Sequence, residues 1–249
     1  MIEPTDDQIE VLKARHLCTA CDKTGVIKYA NPDTDAVAYS PCSCVKKYKN
    51  AYNMLVANIP AAYQELPIDI EDAKNNEENK QGLQLILKYI TKLDDALAKG
   101  IGLYIAGVPG SGKSFLGATI LKVALEKNYK AYFTYIEELI TQGLAAARIG
   151  HDAYTKFQNY FQNVDILLID DIDKIKTDEK DAMILSTILK NRYHAGKSVI
   201  ITASRPKARF IHMIPDTQAI MEERMFELSL KVSYRPKALT RTLSEFFNE

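Results

Sequence analysis

Five short apolar runs, at residues 101–106, 130–135, 165–169, 198–203 and 227–232, recur along the C-terminal part of the chain. Each is too short for a buried helix and is bounded by polar or Gly-containing segments, so each reads as a buried strand. The stretches between them carry apolar residues at helical spacing, as with Leu116, Ile120, Val123 and Ala124. Strands alternating with helices predict βαβ units, and therefore an α/β fold with a five-stranded parallel sheet flanked by helices. A further helix is predicted ahead of the first run. It shows Leu83, Ile86, Leu87, Ile90, Leu93 and Leu97 on one face and Gly100 as its stop.

The N-terminal part follows a different pattern. Residues 22–40 are rich in Gly, Asn, Pro and Asp, with short strand-like pieces at Val26–Tyr29 and 36–39. Residues 71–82 are almost entirely polar and read as a surface connection. These shifts predict a small N-terminal domain over 1–55, a linking segment over 56–82 and a larger α/β domain over 83–249. A chain of 249 residues accommodates both.

Candidate chemistry begins at the first predicted strand-to-helix junction, Gly107-Val-Pro-Gly-Ser-Gly-Lys-Ser114. Gly107, Pro109, Gly110, Ser111 and Gly112 form a loop whose backbone N–H groups can crowd against phosphate oxygens where a Cβ would clash. Lys113 supplies positive charge for the β- and γ-phosphates, Ser114 a hydroxyl ligand for Mg²⁺, and the helix running on through Phe115 its positive end. This pattern predicts ATP and Mg²⁺ as cofactors.

The run Asp165-Ile-Leu-Leu-Ile-Asp-Asp171 delivers carboxylates at the end of a strand, where open α/β sheets bind ligands. Asp170 is expected to hold Mg²⁺, and Asp171 to polarise the attacking water as general base. An Asp is short for that task, so slow hydrolysis is expected. At the end of the fourth run, Ser204 is the first choice for a hydroxyl reporting on the γ-phosphate and Thr202 the second. Arg224 and Arg235 flank the last run; each is a candidate for stabilising charge on the transferring phosphoryl group, from its own or a neighbouring subunit.

All four cysteines lie near the N-terminus, at Cys18, Cys21, Cys42 and Cys44. Two close pairs joined by a loop can converge four thiolates on one Zn²⁺, with His16 as a spare donor. The following stretch 45–52 mixes lysines with tyrosines, which suits a solvated helix face or contact with nucleic acid. Lys+Arg and Asp+Glu both number 32, so the whole chain has no basic excess, and any nucleic-acid surface must be local. No run reaches membrane-span length, and Met1 opens onto acidic and polar residues rather than an apolar signal core. A cytoplasmic protein without membrane contact is expected.

In this order the motifs resemble the AAA+ ATPases, and more narrowly the replicative-helicase loaders of the DnaC/DnaI type and their IstB-type transposition relatives. The residues carrying the resemblance are Ile59-Pro-Ala-Ala-Tyr63, Gly107–Ser114 with Phe115-Leu116, and Val164–Asp171. Ile201-Thr-Ala-Ser204, Glu223-Arg-Met225 and Ser233-Tyr-Arg235 complete the set. The resemblance implies a AAA+ P-loop fold over about residues 55–240, and a cysteine module that grips a partner. It assigns phosphate, magnesium and catalytic roles to Lys113, Ser114, Asp170 and Asp171, and sensing to Ser204, where the family usually has Asn. By position Arg224 matches the finger that acts across a subunit interface and Arg235 the second sensor.

Residues 137–163 correspond to helices that face single-stranded DNA in the family. Arg148 and Lys156 are the expected DNA contacts; Tyr154, Phe157 and Tyr160 share a helical face suited either to bases or to the core. The expected partners are a hexameric replicative helicase, single-stranded DNA and further copies of the chain in a hexamer or spiral. A regulator of transposition is the alternative.

Overall fold

A computed structural model describes residues 4–30, 37–64, 79–175 and 178–231. The chain divides into two compact units, Met1–Pro60 and Ala61–Glu249. The junction between units thus falls inside the predicted linking segment, while residues 65–78 of that segment, and Arg235, lie outside the described residues.

In the first unit, helix α1 (Asp6–His16) starts at a capping box in which Thr5 and Gln8 satisfy each other's backbone N–H groups. A hairpin follows, of β1 (Val26–Ala30) and β2 (Val37–Pro41), paired antiparallel with Lys28 opposite Tyr39. Helix α2 (Cys44–Val56) packs on α1. One small buried cluster of this unit is Cys21, Cys42 and Cys44, with Leu17, Cys18, Ile27 and Val45 packed around them; Ala51, Ala57 and Ile59 are buried as well. So little apolar surface is weak support for a fold of this size.

The second unit opens with the short α3 (Ala61–Gln64), then α4 (Lys80–Thr91) and α5 (Leu93–Ala98). The single helix expected over 83–97 is thus interrupted at Lys92, whose φ of −105° and ψ of 27° depart from helical values. Beyond it come β3 (Gly102–Gly107), α6 (Lys113–Glu126), β4 (Ala131–Tyr135), α7 (Ile136–Ile149) and α8 (His151–Asn163). They are followed by β5 (Ile166–Asp170), α9 (Glu179–His194), β6 (Ser198–Ala203), α10 (Lys207–Met213), α11 (Gln218–Arg224) and β7 (Met225–Leu230). The five strands form one parallel sheet in the order β4-β5-β6-β3-β7.

Side-chain alternation sorts the strand residues between the two faces. Leu167 and Ile169 of β5 and Val199 and Ile201 of β6 join a core with Ile184, Leu185, Ile188 and Leu189 of α9. The opposite face meets α6 so closely that a Cβ on Gly117 would lie 3.0 Å from the Leu168 side chain. By the same parity Asp170 falls on the α6 face, beside the start of that helix. At the starts of the strands, the buried Arg192 guanidinium donates to the carbonyls of Phe161, Val164, Asp165 and Ser198. It thereby ties α8, α9 and the starts of β5 and β6 together.

Candidate functional site

The loop after β3 turns into α6 through Gly110 and Gly112, at φ 77° and 84°, a conformation glycine adopts without strain. Gly107 is required for a different reason. A Cβ there would lie 2.6 Å from the Leu230 carbonyl of β7 and 2.8 Å from Ser111 Oγ. Inside the loop, Ser111 Oγ is buried without a hydrogen-bond partner, while Pro109 and Gly110 are exposed. Lys113 is buried and its ammonium donates to the carbonyls of Gly107 at 2.9 Å and Val108 at 3.0 Å. Burial pulls its pKa down, opposed by the carboxylates of Asp171, Asp170 and Asp173. A cradle of glycines, an orphaned buried hydroxyl and a buried ammonium together fit a chain of phosphates.

Asp170 is 2% exposed, and burial raises its pKa. Hydrogen bonds from Thr202 and Ser114 act in the opposite direction. The pairing of Ile169 with Ile201 puts Asp170 beside Thr202, whose hydroxyl donates to Asp170 Oδ1. The same hydroxyl accepts the Asp171 N–H at 3.0 Å. Asp171 itself sits at φ 56°, left-handed for a non-glycine residue, and its carboxylate pairs with Lys174 at 2.8 Å. That pair is partly exposed, so it is readily exchanged.

Asp170, with the Ser114 hydroxyl acting on it, supplies oxygen ligands of the kind a hard divalent cation such as Mg²⁺ takes. The hydroxyl meeting the acidic pair belongs to Thr202, the second choice of the sequence reading. Ser204 is exposed beyond the strand end, and its backbone N–H donates to the Asp173 carboxylate. Phe115 is 3% exposed, so its side chain belongs to the core rather than to the loop.

Three contacts here went unread in the sequence. Asp173 is a third carboxylate acting on Lys113, and its place in Asp170-Asp-Ile-Asp173 was a usable signal. Tyr63 hydrogen-bonds Ser114, and its backbone carbonyl accepts from Lys122 at 2.9 Å. Tyr135 pairs in register with Asp170. These last two depend on which strands and segments become neighbours, which no local pattern reveals.

Arg224 ends α11 immediately before β7, and its register partner across the sheet is the start of β3, because Met225 pairs with Gly102. The phosphate loop follows the other end of β3, about 16 Å further along the strand. Arg224 and Lys113 of one chain therefore lie at opposite ends of neighbouring strands.

On α7 and α8, Arg148 and Lys156 are exposed, and Ile149 at the turn is 79% exposed. Tyr154, Phe157 and Tyr160 instead pack on the core, with Tyr160 edge-on to Tyr132 at 5.0 Å. The reason is close helix packing: a Cβ on Gly143 would come 2.8 Å from Ile184 and 3.1 Å from Phe157.

In the first unit the four cysteine sulfurs all lie within 4.8 Å of one another. Cys18 is 3.4 Å from Cys42, and Cys21 is 3.6 Å from Cys44. Tetrahedral Zn–S bonds of about 2.3 Å imply sulfur separations of about 3.8 Å, so the set fits zinc. The Gly25 N–H donates to Cys21 Sγ at 3.3 Å, the outer contact expected for a thiolate ligand. Among the described residues no helix is long and apolar enough to cross a membrane.

The model of the bacterial DnaA ATPase domain matches residues 84–224, more than half of the chain. The chain belongs to this family. As a member of the DnaA ATPase-domain family it carries a AAA+ ATPase domain, which implies nucleotide and Mg²⁺. An insertion sequence ATP-binding protein of Sinorhizobium fredii is 31% identical over 126 residues, covering 49% of this chain and 40% of that protein. The chain thus spans well under half of that relative.

Among solved structures, the DnaC helicase loader superimposes with a TM-score of 0.60 at 24% identity, over 69% of this chain and 100% of the other. A replication initiator DnaA bound to AMPPCP and single-stranded DNA gives 0.58 at 16% identity, over 70% and 51%. At these identities the two likenesses speak for the fold.

Two outcomes follow from this geometry. Thr202→Val keeps the shape but removes the hydrogen bonds to both aspartates, so ATP turnover should fall about tenfold or more. Ser204→Ala should stay close to wild type; equal losses, or none from Thr202→Val, contradict the assignment. Metal analysis of purified protein should find about one zinc per chain. Four freely titrating thiols without metal would contradict the zinc centre.

Proposed function

We propose that the chain is an ATP-dependent loader that binds a hexameric replicative DNA helicase and delivers it onto single-stranded DNA. ATP binding drives assembly and hydrolysis drives release. One observation carries the reading: Arg224 lies at the starts of the strands while its own Lys113 lies beyond their ends, so a finger role for it requires a second copy of the chain. A site completed between subunits suits control of an assembly better than chemistry on a metabolite.

Within that scheme Gly107–Ser114 bind the phosphates, with Lys113 turning from its loop carbonyls to the β- and γ-phosphates. Ser114 and Asp170 would hold Mg²⁺, which when bound neutralises developing phosphate charge. Asp171 exchanges Lys174 for the attacking water, and Thr202 keeps both aspartates in place. Arg235, by resemblance, senses the γ-phosphate from the chain's own side. Arg148 and Lys156 contact the DNA backbone through its phosphates, without stacking from the aromatics that pack on the core. Cys18, Cys21, Cys42 and Cys44 hold zinc, and the small domain they stabilise grips the helicase.

Fold similarity to the DnaC helicase loader over the whole of that chain supports the loader reading. The Sinorhizobium fredii relative favours the alternative, an IstB-like regulator that coats duplex DNA and recruits a transposase. Co-purification with a hexameric replicative helicase, with and without ATP, separates the two. The loader reading expects a nucleotide-dependent complex and transfer of the helicase to single strands. A filament on duplex DNA with no helicase affinity overturns it.

A further inference from the structure

The Arg224 side chain is held by two neighbours near the starts of the strands. Its guanidinium lies over the Tyr193 ring, 5.1 Å from the centroid, and donates to the Lys99 carbonyl. Tyr193 belongs to the end of α9, and its hydroxyl donates to Glu223 Oε2 at 2.5 Å. Lys99 precedes a turn made rigid by two close approaches. A Cβ on Gly100 would come 2.8 Å from the Gly196 carbonyl, and one on Gly102 would come 2.0 Å from that of Val199. Gly100, Gly102, Tyr193 and Arg224 line one shallow cleft. Just behind it, Arg192 locks the last turn of α9 to β5 and β6.

An arginine acting across an interface needs a fixed direction, and a long side chain free in solvent loses rotamer entropy when it is captured. A ring beneath the guanidinium and a carbonyl at its edge reduce that loss before any partner arrives. We propose that Tyr193 is a positioning residue for Arg224, pre-setting the guanidinium that a second copy of the chain receives at its γ-phosphate. This rests on the reading of Arg224 as a finger acting between subunits. The ring supports the face of the guanidinium, while the hydroxyl, donating to Glu223, also acts on Arg224 from the side.

The test is steady-state ATP turnover of the full chain against protein concentration, together with ATP affinity and melting temperature. Tyr193→Leu should lower assembly-dependent kcat about tenfold while leaving ATP affinity within about twofold. Tyr193→Phe, which keeps the ring, should restore turnover to within about twofold of wild type. In an Arg224→Ala background Tyr193→Leu should cost nothing further, as expected for groups acting as one unit.

If Tyr193→Leu turns over normally while Arg224→Ala is slow, the positioning role is wrong and the finger reading survives. If Arg224→Ala itself turns over normally, the finger reading fails and the positioning role falls with it. Should Tyr193→Leu lower the melting temperature, Tyr193→Gln is read in its place against the same expectations.

Discussion

A carboxylate at the end of a buried strand has to be stabilised by donors, and Asp170 imposes that demand on everything around it. Moving it out of water favours the neutral acid, as its raised pKa reflects. The structure answers with Thr202 from the neighbouring strand and Ser114 from the first turn of α6. Thr202 reaches Asp170 because the pairing of Ile169 with Ile201 puts Thr202 and Asp170 on one face of the sheet, the face that α6 covers. The phosphate loop, the acidic strand and the hydroxyl strand are therefore one electrostatic unit. Lys113 completes it as a buried cation whose charged form the carboxylates of Asp171, Asp170 and Asp173 favour against the cost of burial.

The second constraint is directional. A parallel sheet sends all five strands the same way, so everything at the strand ends is separated from everything at the starts by a strand's length. Arg224, Tyr193 and Arg192 belong to the starts; Lys113, Asp170 and Thr202 belong to the ends. Helix α9 (Glu179–His194) runs between these two ends, beginning after the Asp171–Lys174 turn and carrying Tyr193 in its last turn. The proposed division of the nucleotide site between two copies follows from this polarity rather than from a special contact.

The fold and much of the site were legible because their chemistry uses neighbouring residues. A glycine-rich loop needs its glycines in sequence, an apolar strand ending in two aspartates is contiguous, and four cysteines in two tight pairs announce themselves. What was not legible depended on register and close packing. Thr202 rather than Ser204 meets Asp170 because Ile169 pairs with Ile201. Tyr154, Phe157 and Tyr160 went to the core because Gly143 lets α7 approach α8 and α9. Phe115 is buried behind the loop it adjoins, and the Tyr193–Arg224 contact joins residues whose proximity only the folded chain reveals.

The central claim is that one subunit's Asp171 works with another's Arg224. Mixing inactive Arg224→Ala chains with inactive Asp171→Ala chains tests it directly through ATP turnover. At equal amounts and random assembly, about a quarter of the interfaces regain both groups, so about a quarter of wild-type turnover should return. A mixture no more active than its separate components would contradict a site shared between subunits.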